Sequence, residues 1–369
     1  MHLSESREFG LRGRWLKWRN RILSSPGFQR FALKFPLTRP VARRRARALF
    51  DLVAGFTYSQ IVAACIQTRL LDLLADGPRQ AATIASEVDL PTEGTIRLLR
   101  GAAALGLVEP IGDSWALGQQ GAALLGNRGI AEMVAHHHLL YADLADPVAL
   151  LRRGGGGGSL SRHWQYAESA GHGDDDAVVG YSALMAASQP LVAEQIIAAY
   201  PFARHRRLLD VGGGEGAFIA AVAVAVPDLG LGLFDLPAVV NRARPLLDQR
   251  VELFGGSFLH DPLPTGFDLI SLVRVLHDHD DQPALNLLRR VHAALPTGGK
   301  LLIAEPMART RGEEPSGDAY FGFYLLAMGS GRPRSMEEIS ALLKRAGFST
   351  VRSIATRLPL TVRIALATR

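Results

Sequence analysis

Leu208 to Phe218 reads LLDVGGGEGAF. An apolar run ends in Asp210, then Gly212, Gly213, Gly214 and Gly216 fall within five positions before apolar residues resume. That is a strand, a tight turn and a helix start. The glycines permit positive φ and let a ligand lie against bare backbone. The N–H groups opening the helix can meet a polar or anionic group. Gly212, Gly214 and Ala217 satisfy the dinucleotide fingerprint GxGxxG/A, so a nicotinamide enzyme is one reading.

Outward from this turn the chain alternates strands and helices. The expected strands are 208–211, 231–234, 251–253, 269–275, 300–304, 350–355 and 361–367. Helical runs separate the first five, which gives a doubly wound parallel sheet of the α/β class. The last two are joined near Pro359 by a connection too short for a parallel crossover, so they pair antiparallel.

Upstream, Tyr58 to Leu74 reads as one amphipathic helix stopped by Asp76-Gly77-Pro78. Ala81 to Val88 is a short helix, and Thr92 is an N-cap for another ending at Leu105. Leu107 to Leu117 forms a hairpin turning at Gly112-Asp113. Helices followed by a wing suggest a winged helix. Its would-be recognition helix offers only Arg97 and Arg100, with Glu93 beside them, so dimerisation is favoured over DNA reading. Four segments result: an extension over 1–46, a winged-helix domain over 47–130, a helical connector over 131–200 and a sheet domain over 201–369. In the connector, His136 to His138 are adjacent, a poor arrangement for a metal. Gly154 to Gly158 resembles a flexible linker. Gly171 to Asp176 reads as a loop, and Tyr181 to Tyr200 as a long helix.

The chain has 369 residues, a net charge of +6 and one cysteine, Cys65. No internal disulfide is possible, which suits a reducing cytoplasm. No uninterrupted apolar stretch of bilayer length and no signal-peptide pattern is read. Residues 1–50 hold thirteen Lys/Arg and two acids, so the remainder is net negative. The same extension carries Trp15, Trp18, Phe28, Phe31 and Phe35. Arginines mixed with aromatics suit an anionic membrane surface. An arm covering a partner subunit is the equal alternative, and nucleic acid is not expected.

Three further segments carry chemistry. Asp235 ends the second strand in FDLP, where a carboxylate can accept both hydroxyls of an adenosine ribose. His277, in LVRVLHDHDD, follows the fourth strand at the edge where open α/β sheets bind ligands. It can act as a general base. Asp278 and Asp280 can orient it or cap the next helix, and His279 is a rival base. Glu305, in GGKLLIAEPM, ends the fifth strand on the same edge, where a carboxylate can hold an imidazole in one tautomer.

Taken together, LLDVGGGEGAF, FDLPAVV and VLHDHDDQPALNLLRRVHAALPTGGKLLIAEPM resemble the S-adenosylmethionine-dependent small-molecule O-methyltransferases, the family of plant caffeate and flavonoid enzymes. The antiparallel C-terminal hairpin agrees with that sheet better than with the nicotinamide one. The resemblance implies a Rossmann-like class I methyltransferase sheet preceded by a winged-helix dimerisation domain and working as a homodimer. It implies S-adenosylmethionine as cofactor, S-adenosylhomocysteine as product, and no metal. Cofactor candidates are Asp210, Gly212, Gly214, Gly216, Asp235, Leu236, Ser257, Phe258 and Arg274. Catalytic candidates are His277, Glu305 and Asp278; substrate candidates are Phe321, Tyr324 and Met328. FPLTRPVARRRARALFDLVAGFTYSQ, YSALMAASQPLVAEQ and DAYFGFYLLAMGSGRPRS are similar to the carotenoid members from purple photosynthetic bacteria. Those methylate the tertiary C1 hydroxyl of acyclic carotenoids, which implies a cytoplasmic enzyme peripheral to the inner, photosynthetic membrane.

Three positions depart from the plant pattern. Ser257 stands where an acid contacts adenine, HDHDD replaces HDWSD, and Pro333 stands where a second catalytic glutamate is expected. A phenol or polyketide methyltransferase, a non-methylating relative and a DNA-binding regulator are the competing readings.

Overall fold

The computed structural model describes residues 10–163 and 189–369. The loop expected over 171–176 and the first part of the helix expected from Tyr181 lie outside them. The chain divides into two compact units, residues 1–121 and 122–369.

The first unit opens with helices Leu11–Leu23, Pro26–Lys34 and Arg39–Gln67. The third begins nineteen residues before the expected Tyr58, because its N-terminal half is basic and solvent-facing and leaves no apolar period to read. By length and composition it is apolar enough to cross a membrane, although Asp51 interrupts its apolar run. The single helix expected over 58–74 is broken: Arg69 takes φ 54°, and a short helix, Leu70–Ala75, resumes at an angle set by that left-handed residue. Cys65 is fully buried, and burial raises its thiol to about 11. Helices Ala81–Glu87 and Thr92–Ala104 follow. Pro91, not Thr92, occupies the cap position, and Thr92 is the first helical residue. Strands β1 (Arg79–Gln80), β2 (Val108–Ile111) and β3 (Ser114–Leu117) form a small antiparallel sheet in the order β1-β3-β2. The hairpin turns where expected, with Gly112 at φ 55°. The helices and the small sheet take the winged-helix arrangement expected of this segment.

The second unit contains β4 (Arg207–Val211), β5 (Gly230–Asp235), β6 (Val251–Gly255), β7 (Leu269–Val273), β8 (Lys300–Glu305), β9 (Thr350–Ile354) and β10 (Arg363–Thr368). Their order is β6-β5-β4-β7-β8-β10-β9. The first five are parallel; β10 runs antiparallel to both β8 and β9. Strand order reverses at β4 and β7, so a crevice opens at their C-terminal ends. One core, around Leu272, Leu287, Leu301 and Ile339, covers one face. Another, around Ile196, Phe218, Ile219 and Leu231, covers the other. Both are apolar and well buried, so the polar groups at the strand ends have rigid supports.

The glycine run after helix Pro147–Arg152 is an ordered loop, not a linker. Gly154 to Gly157 all take positive φ, and Gly156 N–H donates to Leu326 O at 2.9 Å. Buried Asp143 accepts from Ser159 N–H at 2.6 Å and Leu160 N–H at 2.9 Å. A side chain at Gly158 would collide with that carboxylate.

Candidate active site

The turn after β4 is built by glycine. Gly212 and Gly214 take φ 70° and 60°, conformations that favour residues without Cβ. A Cβ on Gly212 would lie 2.8 Å from Val275 and 3.3 Å from Phe258, whereas Gly214 faces open space. Gly216, at φ 86°, leads into helix Ala217–Ala225. Beneath the turn, Asp210 is fully buried. Its Oδ1 accepts from Ser271 Oγ at 2.6 Å, and Oδ2 has no partner. Burial, aided by the charge of Asp235, raises its carboxyl to about 7 against the opposing Ser271 bond.

Asp235 closes β5 beside this turn. Its Oδ2 accepts from Gly214 N–H at 2.8 Å and its Oδ1 from Leu236 N–H at 2.7 Å. Burial raises its pKa, opposed by those two bonds and by Arg242. After β6, Ser257 N–H donates to Asp261 Oδ2 at 2.8 Å, so an acid does stand beside the serine, four residues later. The bare backbone at Gly214, the free Asp210 oxygen and the Asp235 carboxylate fit an adenosyl amino acid. Among the described residues no cluster of metal-ligating side chains occurs.

His277 lies in a short turn beyond β7 and is buried. Its Nε2 is 3.3 Å from Asp278 Oδ1, and its Nδ1 has no hydrogen-bond partner. Burial first, then the nearby Arg274, Arg334 and His279, lower its pKa to about 3. The ring is therefore neutral near neutral pH, with a lone pair open to a proton, and the same burial weakens it as a base. Glu305, at the end of β8, meets the backbone N–H of His277 at 3.1 Å, not the ring. Burial raises Glu305 to about 7 against Arg334 and the His277 and Leu276 N–H groups. Arg274 turns the chain at φ 57°, and its charge acts on His277 and Tyr320. Asp280 accepts from Gly331 N–H at 3.0 Å. His279 packs edge-on against Phe258.

The substrate candidates separate. Phe321 sits 6.0 Å from His277, ring centre to ring centre. Tyr324 and Met328 are buried with Leu140, Leu150 and Leu160. Tyr324 OH also pairs with His136 Nε2 at 3.1 Å, and Tyr320 OH with His137 Nε2 at 2.8 Å. Two of the three adjacent histidines thus reach one helical segment through long side chains. Arg334 carries no signal in its local sequence, yet it is fully buried. It donates to Leu276 O at 2.9 Å, His279 O at 2.7 Å and Asp281 Oδ1 at 2.8 Å.

The antiparallel β10, inserted between β8 and β9 of a doubly wound sheet with a glycine turn after β4, fits the class of S-adenosylmethionine-dependent methyltransferases better than the nicotinamide enzymes. Residues 141–349 match the O-methyltransferase domain, and residues 50–127 match the O-methyltransferase dimerisation domain. The chain belongs to this O-methyltransferase family and is an S-adenosylmethionine-dependent O-methyltransferase; its dimerisation domain supports a homodimer. It is 44% identical to a demethylspheroidene O-methyltransferase of Cereibacter sphaeroides, over 90% of this chain and 89% of that one. It is 41% identical to that of Rhodobacter capsulatus, over 95% and 88%. Among solved structures it resembles the mitomycin 7-O-methyltransferase MmcR, with TM-score 0.74, 27% identity and coverage of 89% and 99%. It also resembles the pyocyanin biosynthetic protein PhzM, with TM-score 0.75, 26% identity and coverage of 88% and 99%.

Proposed function

We propose that this enzyme methylates the tertiary C1 hydroxyl of an acyclic carotenoid, with His277 as general base. The observation that carries the catalytic part is the buried, neutral imidazole beside Phe321. The acceptor follows from likeness to the two demethylspheroidene O-methyltransferases. S-adenosylmethionine, when bound, supplies a methyl group activated on a sulfonium centre. Gly212, Gly214 and Gly216 form the turn that accepts it, with Asp210 beneath. Asp235 would accept its ribose hydroxyls, and Leu236, Phe258, Ser257 and Arg274 would line the same edge. His277 Nδ1 takes the hydroxyl proton while Asp278 holds Nε2. A tertiary alcohol is far less acidic than a phenol, so proton removal accompanies attack, and alignment carries much of the rate. Phe321 supplies an apolar wall at the base. The enzyme works on the cytoplasmic side, peripheral to the membrane that holds its substrate.

The Tyr320–His137 and Tyr324–His136 pairs favour a second reading, a phenolic or polyketide acceptor able to exchange hydrogen bonds there. One assay separates the two. Isotopically labelled S-adenosylmethionine is supplied with detergent-dispersed 1-hydroxyneurosporene, and with caffeate in a parallel tube. Label in the carotenoid alone supports the first reading; label in caffeate alone overturns it.

A further inference from the structure

Four of the six large apolar residues of the Leu11–Leu23 helix share one face, while Leu16 and Leu23 fall outside it. Leu11, Trp15, Trp18 and Ile22 follow one another at i, i+4, i+7 and i+11, which lines them along one face. Most of the face is open: Leu11 is 80% exposed, Trp15 53% and Trp18 61%, with Ile22 half-buried at its end. Basic residues stand on both shoulders of the stripe, Arg12 and Arg19 on one side, Arg14 and Arg21 on the other. The Arg19 guanidinium lies 5.2 Å from the Trp15 ring. The next helix, Pro26–Lys34, adds exposed Phe28 and Phe31, the latter stacked on Phe35 at 5.5 Å, with Arg30 and Lys34 among them. Between residues 10 and 50 there are twelve Lys/Arg and no acid.

We infer that the Leu11–Leu23 helix lies in the plane of an anionic phospholipid surface, with Leu11, Trp15, Trp18 and Ile22 among the acyl chains and the flanking arginines on lipid phosphates. Amphipathic helices bind bilayers in this arrangement, with indoles at the headgroup boundary and long cationic side chains reaching outward. The charge pattern selects the occupant. A second copy laid symmetrically on the same stripe would bring an equally basic, acid-free surface against this one, and like charges would repel; its net-negative remainder is the rival cover, and the mass of the tryptophan variant tests it. The exposed Leu49, Phe50, Leu52, Val53 and Phe56 are different: all but Leu49 fall within the matched dimerisation domain, where a second copy is the expected cover. The bilayer therefore takes the helix that precedes that domain. The surface argument stands without the proposed acceptor, although a membrane-dissolved substrate would give it a purpose.

The test is flotation of the full-length protein with vesicles of phosphatidylglycerol and phosphatidylcholine in equal parts, and with phosphatidylcholine alone. Light scattering and S-adenosylmethionine binding are recorded for every variant. The wild type floats with the anionic vesicles and is released by high salt. Arg14→Gln/Arg21→Gln weakens that binding about thirtyfold, roughly fivefold per charge. Trp15→Ser/Trp18→Ser loses it, while its mass and its S-adenosylmethionine affinity stay those of the wild type. Equal flotation with both vesicle types, or with neither, overturns the inference. So does a tryptophan variant that becomes monomeric, which would place a second copy on the stripe. None of these readouts involves methyl transfer, so a failed acceptor assignment leaves the result intact.

Discussion

Arg334 donates through Nη1 to the backbone carbonyl of Leu276 at 2.9 Å, one residue before His277. Its other nitrogen, Nη2, holds His279 O, and Asp281 receives both Nε and Nη2. One buried cation thus spans the turn that carries the imidazole, from the residue before it to four residues after. Arg334 touches neither reacting atoms nor the ring, so it is a positioning residue. Arg334→Gln leaves buried carbonyls unpaired, a loss of about 1–3 kcal/mol each. We expect a fall in urea-unfolding free energy of that order, and a turnover loss of at least about tenfold with S-adenosylmethionine affinity retained. Arg334→Lys, with fewer donors in a different geometry, recovers only part. Wild-type turnover in the Gln variant would show that the turn holds itself.

Gly331 tests the same strap by another route. It takes φ 75°, and a Cβ there would lie 2.1 Å from the His277 carbonyl oxygen. The neighbouring Arg332 N–H already donates to that oxygen at 2.9 Å. Gly331→Ala incurs about 1–2 kcal/mol of left-handed strain and displaces the turn. Thermal melting and turnover should fall together. An alanine variant with normal turnover would mean that displacement of this turn does not reach the ring.

His277→Ala removes the proposed base and leaves the glycine turn and Asp235 in place. Turnover should drop by about 10²–10⁴-fold, while calorimetric S-adenosylmethionine binding stays near wild type. A parallel loss of both would argue against a purely catalytic role.

The buried titratable groups predict a pH signature in stability. Glu305 is raised from 4.5 to about 7. On raising the pH the unfolded chain releases this proton first, so folding free energy declines across that interval. Glu305→Gln does not titrate and should gain on the wild type there, by on the order of 3 kcal/mol. His277 has the opposite sign. Its pKa falls from 6.5 to about 3, so stability is full above 6.5 and is lost as pH drops through that range. Denaturant melts of wild type and Glu305→Gln, at mildly acid and mildly alkaline pH, provide the comparison. A constant difference between the two would rule out a perturbed Glu305.

Much of the sheet was legible because it is buried on both faces. Apolar strands with Asp210, Asp235 and Glu305 at or one residue before their ends mark where backbone meets crevice, and all three acids stand at that edge. What the sequence hides is orientation and distance. Nothing in GGKLLIAEPM tells that Glu305 turns to a backbone N–H, because that depends on how the next loop closes. Arg334 is likewise invisible: its side-chain partners lie more than fifty residues away. The helix from Arg39 was missed over its first half because solvent-facing arginines carry no apolar period. Arg69 broke the expected 58–74 helix through a left-handed conformation that arginine seldom adopts.

Strand β10 has a consequence for how the polypeptide is made. It is the last strand in chain order, yet it is inserted between β8 and β9. While the ribosome is still adding residues 363–368, β8 presents an unpaired edge of apolar backbone, and β9 has no neighbour at all. Helix Met336–Arg345 can form but has an incomplete sheet to cover. The sheet therefore cannot close at β8 until β10 has been made, and until then it carries an open strand edge that invites association with other chains.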